Sequence, residues 1–145
     1  MQPQSQLRLA VAANAGFSAL SAGICWFATD AVARFTGIPA DMIASLGIEL
    51  GAFATALAFI ASRRDLGQTW IRRAVGVVVA LDVMWVLGSI ALLSVPTSLT
   101  LTVAGQWTVG LVALAVADFA FFQYRGLRIT REETHSSAVA VPAAA

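Results

Sequence analysis

Long apolar stretches at residues 9–28, 45–61, 74–93 and 101–122 constrain this chain more than any other feature. A helix needs about 20 apolar residues to cross roughly 30 Å of hydrocarbon, and these segments match that requirement. The shortest, 45–61, is lengthened by the weakly polar 40–44 segment, with Pro39 suited to a first helical turn. The spans are therefore expected at about 9–28, 42–61, 72–93 and 100–122. Alternation at 52–58 hints at a strand, but four strands cannot close a barrel, and an open sheet leaves backbone groups unbonded in lipid. Composition agrees: 59% of the 145 residues are hydrophobic and 12% charged, whereas a soluble domain is about a quarter charged. The expected fold class is all-α, a polytopic four-transmembrane-helix bundle over residues 1–125. A polar tail follows at 126–145, without fixed structure beyond about Glu133.

Orientation follows from arginine, because basic residues in short loops stay on the cytoplasmic side. Arg8 precedes the first span, Arg63, Arg64, Arg72 and Arg73 lie between the second and third, and Arg125, Arg128 and Arg131 follow the fourth. Against these stands Arg34 in the first loop, so both termini are expected in the cytoplasm. A signal-peptide reading of the first segment draws on Arg8 and on Ala31-Val32-Ala33 as a cleavage site. Its apolar part is too long and is interrupted by Asn14, which favours a retained span. Residues 29–37 read as a short interfacial helix with Asp30 as N-cap, Val32 and Phe35 facing lipid, and Gly37 as terminator. Gly67 suits a helix stop, Thr69 a start and Trp70 an interfacial anchor, and a turn at 94–98 offers Thr97 or Ser98 as cap.

Several chemistries lack their residues. The chain has no Lys, so a Schiff base to a bound aldehyde has no amine side chain. Cys25 is the single cysteine, which excludes a CxxC pair and a cysteine metal cluster. His135 is the single histidine, so paired axial haem ligands are missing. No cofactor is expected, and a formal net charge of +1 gives no support for nucleic-acid binding.

The informative residues are the polar ones inside the spans: Asn14, Glu49, Asp82, Gln106 and Asp118. An ionised acid at mid-membrane costs about 2.5 to 3.5 kcal/mol on insertion scales, so these groups are expected to face the bundle interior, pair, or be protonated. Counting from span centres puts Asn14, Asp82 and Asp118 in the cytoplasmic half and Glu49 and Gln106 in the outer half, predicting two polar layers. Asn14, Ser18, Ser21 and Cys25 share one face of the first span, and Asp82, Trp85 and Ser89 one side of the third. Gly47 and Gly51 form a GxxxG, and Gln106, Gly110, Ala113 and Ala117 a stripe that permits close approach. These polar groups are expected either to fix helix packing through hydrogen bonds or, for Glu49 or Asp82, to bind a proton or ligand. Asp82 and Asp118 also invite comparison with two-aspartate intramembrane proteases, but Ala115-Val116-Ala117-Asp118 replaces the GxGD such enzymes need.

The stretches Asn14-Ala15-Gly16-Phe17-Ser18-Ala19-Leu20-Ser21-Ala22-Gly23 and Ala80-Leu81-Asp82-Val83-Met84-Trp85-Val86-Leu87-Gly88-Ser89 resemble small bacterial integral membrane proteins without an assigned function. The resemblance implies a bacterial inner-membrane protein and carries over no active residue. Length and span count also look like the small multidrug-resistance exporters, which place a glutamate in the first span, where this chain has Asn14 and Ser18. The sequence favours a non-enzymatic membrane protein, self-associating or an accessory subunit, with an unpaired GxxxG face as its interface. The alternative is a small proton-linked transporter or binder using Glu49 and Asp82.

Overall fold

Where the apolar stretches lie the backbone is helical, because helices alone let a lone segment satisfy its own amides in lipid. The computed structural model describes residues 3–63, 65–66, 68–95 and 99–139, with side chains described from Ser5 to Ile129. The helices are α1 (Pro3–Phe27), α2 (Thr29–Thr36), α3 (Ala40–Ala61), α4 (Thr69–Ser94) and α5 (Val103–Val139), and no strand occurs among the described residues. Four segments are long and apolar enough to cross a membrane: Ser5–Phe27, Ala40–Ala61, Thr69–Ser94 and Val103–Ile129. The chain thus has the architecture of a multi-pass membrane protein. Helix α5 continues to Val139, past residue 125 where the helical domain was expected to give way to a tail. Residues 140–145 lie outside the described region.

Helix α1 packs on α3 and on α5, α4 packs on α5, and α3 and α4 touch only slightly. One end of the bundle is closed by Leu7, Val11 and Ala15 of α1, Leu57 and Ile60 of α3, and Ile71, Val75 and Val78 of α4. Leu66, from the α3–α4 connection, is fully buried in that cluster. Burying a Leu or Ile is worth about 1.5 to 3 kcal/mol in water. In lipid, packing contacts carry the gain instead. The Arg8 guanidinium donates to the Arg63 carbonyl at 2.7 Å, and Arg63 lies 3.8 Å above the Phe59 ring. Gly126 backs onto Leu7 so closely that an added Cβ would stand 3.0 Å from the Leu7 Cβ. The start of α1, the α3–α4 connection and this part of α5 therefore share one end, here called the terminal end.

At the opposite end α2 bridges α1 and α3. Gly37 terminates it as expected, at φ 80°, with its N–H donating to the Ala33 carbonyl at 2.8 Å. The expected N-cap is not formed: Ala28 holds that position and Asp30 sits inside the first turn. The reason is that α2 follows α1 after a one-residue break. Ala28 N donates to Ile24 O at 3.0 Å and Val32 N to Ala28 O at 2.9 Å, so there is no fresh set of amides for Asp30 to cap. Phe35 is exposed as expected. Thr97, Ser98 and Gly67 fall outside the described residues. The cap of α5 is Thr102, whose hydroxyl accepts from Gly105 N at 2.9 Å and donates to the Phe35 carbonyl. Helix α4 begins at Thr69 as expected, with Trp70 exposed beside it.

Candidate functional site

The polar face of α1 turns inward as its spacing predicts. Asn14 is 1% exposed, and Ser18 and Cys25 are also buried. On α4, Asp82 is 3% exposed and Ser89 is buried, while Trp85 of the same expected stripe is turned partly outward. The Asn14 amide donates to the Asp82 carboxylate at 2.9 Å, and the Ser18 hydroxyl donates to the Asn14 carbonyl oxygen at 3.4 Å. This network ties α1 to α4, a pair that otherwise has little direct packing. Interhelical hydrogen bonds of this kind contribute about 0.6 to 2 kcal/mol in a bilayer.

The remaining intramembrane polar residues do not join it. Glu49, Gln106 and Asp118 are exposed, so of the expected alternatives the interior-facing one does not hold for them, and the outer polar layer is not formed within the chain. On α5 the buried positions are Gly105, Ala113, Val116, Ala120, Gln123 and Gly126. Asp118 lies about 200° around the helix from both Val116 and Ala120, on the opposite face. That placement also dismantles the two-aspartate arrangement. The inward stripe expected through Gln106 and Gly110 is rotated: Gly110 is half-buried, and a Cβ there would meet nothing within 4 Å.

Gly47 and Gly51 do serve close packing, but within the chain. A Cβ on Gly47 would stand 2.7 Å from the Trp26 ring and 3.0 Å from the Cys25 Cβ, and one on Gly51 3.0 Å from the same ring. The GxxxG seam thus receives the indole of α1, and its expectation as an open interface is corrected. Glu49, between the two glycines in sequence, points away from that seam. The seam also fixes its depth, since Gly47 and Gly51 lie against Cys25, Trp26 and Ala22. Glu49 is level with about residue 24 of α1, roughly 15 Å along the helix from Asn14. Glu49 and Asp82 are therefore not parts of one site.

Gln123 is the residue that sequence reasoning missed. It is 0% exposed, and neither its amide nitrogen nor its carbonyl oxygen has a protein partner. It falls one residue past the apolar stretch that defined the fourth span, where it reads as the start of a polar tail. Aromatic contact between Phe17 and Phe119 at 5.6 Å, with the Leu7–Gly126 contact, sets the α1–α5 register. Interpolation places Gln123 level with about residue 11 of α1, roughly one turn from Asn14 toward the terminal end. Among the described residues no group of His, Cys, Asp and Glu could hold a metal ion. Comparison with protein families, curated proteins and solved structures finds no match to this chain.

Proposed function

We propose that this chain is a non-enzymatic membrane subunit that assembles with further transmembrane helices, either a second copy of itself or a larger complex. The observation that carries this reading is Glu49, exposed on the face of α3 opposite the glycine seam and about eight residues, or roughly 12 Å, along α3 from Asp41. An acid at such a depth is unfavourable against lipid tails, and a polar group on a neighbouring helix removes the penalty. Asp118 supports the same reading from α5, where it interrupts an exposed stripe containing Leu111, Leu114 and Phe121. The arginine distribution supports both termini being cytoplasmic, and the resemblance of the 14–23 and 80–89 stretches to small bacterial membrane proteins supports a bacterial inner membrane.

Chemical crosslinking in native-lipid particles tests the reading. The parent chain should give a defined higher-order species, and Glu49→Leu should lose it while keeping its helix content. A parent that stays monomeric, or a Glu49→Leu variant that assembles as before, would count against the proposal. A second reading rests on the buried Asn14–Asp82 pair: a small proton-linked transporter or binder. In that case Asp82→Asn abolishes pH-dependent uptake or binding in reconstituted vesicles and leaves assembly intact.

A further inference from the structure

Helices α4 and α5 enclose an open groove of about 470 Å³ on the outside of the bundle. Val79, Val83 and Leu87 line one side of it, and Ala120, Phe121 and Tyr124 the other. Its terminal end lies between Val79 and Tyr124, since the helices are antiparallel. On α4, positions 72, 76, 79, 83 and 86 recur at i, i+4, i+7, i+11 and i+14, and on α5 positions 117, 121, 124 and 128 recur at i, i+4, i+7 and i+11. At about 100° per residue each set forms one stripe along its helix. Followed toward the terminal end, each stripe finishes on an arginine: Arg72 on α4 and Arg128 on α5. Arg128 stands one turn, roughly 6 Å, beyond Tyr124, and Arg72 two turns, roughly 10 Å, beyond Val79. Arg128 is exposed and Arg72 half-buried.

An apolar groove opening toward the end where both flanking stripes carry an arginine has the shape and charge order of a phospholipid. Tyr124, more than half exposed, marks the boundary between the two parts. Guanidinium groups bind phosphate through charge-assisted, often bidentate hydrogen bonds, and basic pockets between transmembrane helices take anionic headgroups. We propose that the α4–α5 groove seats an acyl chain of an anionic phospholipid whose phosphate lies between Arg72 and Arg128. The site is on helices other than α3 and so stands apart from Glu49, while Phe121 borders both this groove and the Asp118 stripe of α5.

The test is retention of lipid by the full chain. The protein is equilibrated in mild detergent with equal amounts of phosphatidylglycerol and phosphatidylcholine, and bound lipid is counted by native mass spectrometry. Phosphatidylglycerol should be retained with a preference on the order of tenfold to thirtyfold, as expected for two arginines near a headgroup. The Arg72→Gln, Arg128→Gln double variant should bring the ratio close to one, whereas Arg34→Gln, at the other end of the molecule, should leave it unchanged. Val83→Trp, which fills the groove, should reduce retention of phosphatidylglycerol while circular dichroism shows unaltered helix content. Excess inorganic phosphate should not displace the lipid. Equal retention of the two lipids by the parent chain, an unchanged ratio in the double variant, or displacement by phosphate alone would overturn the proposal.

Discussion

Replacing Gly105 by Ala should destabilise the protein far more than the same change at Gly110 on the same helix. A Cβ on Gly105 would lie 2.0 Å from the Thr36 carbonyl oxygen and 2.8 Å from its carbon, both backbone atoms that no rotamer change can move. Carbon–oxygen contacts settle near 3.3 to 3.6 Å, so α2 and α5 would have to part by roughly 1.3 Å. That shift breaks the Thr102 N to Thr36 O bond at 3.0 Å and the bond from the Thr102 hydroxyl to Phe35 O. Two such bonds are worth about 1 to 3 kcal/mol net, and overpacking adds about 1 to 3 kcal/mol. Alanine's helix preference over glycine returns about 1 kcal/mol, leaving a loss of about 1 to 5 kcal/mol. For a chain of this size, at about 3 °C per kcal/mol, that corresponds to a fall in Tm of roughly 3 to 15 °C. Thermal unfolding in mild detergent, followed by helix content, measures it. A Cβ on Gly110 meets nothing within 4 Å, so that variant should unfold with or slightly above the parent. The reasoning fails if Gly105→Ala unfolds at the parent's temperature, or if Gly110→Ala falls as far.

The Asn14–Asp82 bond should show a coupling of about 0.6 to 2 kcal/mol in a double-mutant cycle with Asn14→Leu and Asp82→Leu. Additive single effects in detergent unfolding would mean the two side chains act separately. Gly47→Leu should lower thermal stability, because its side chain would occupy the place of the Trp26 indole, yet leave the crosslinked species intact. Its loss with stability unchanged would return the GxxxG to the role of an external interface. Gln123→Leu should be neutral or stabilising, since it removes a buried amide without a protein partner. A marked drop in Tm would show that the amide is engaged. Reporter fusions in the 63–73 region should give cytoplasmic activity, and periplasmic activity would reverse the orientation.

The spans were legible because hydrocarbon thickness sets their length, and the terminator of α2 because Gly37 is the residue that tolerates a positive φ. The inward face of α1 was legible too, since Asn14 and Ser18 mark a phase against an otherwise apolar helix. The phase of α5 was not. Its residues are apolar around the circumference, so periodicity carries little information, and Gln106 drew the expected stripe to the wrong side. The same weakness hid Gly105 and Gly126, whose importance lies in what stands opposite them. For Glu49 the rule that acids turn inward assumes that a single chain completes its own surroundings. The use of Gly47 and Gly51 by Trp26 was beyond the sequence, because a GxxxG states that something can come close and not which helix does.

Because α1 is flanked by α3 on one side and α5 on the other, its packing is completed only by a helix that follows it by about 75 residues. Until α5 arrives, Phe17 on that flank of α1 lacks its Phe119 partner, and a ribosome adding roughly 5 to 20 residues per second leaves it so for seconds. Assembly of these helices thus includes an interval in which that flank of α1 meets lipid rather than protein.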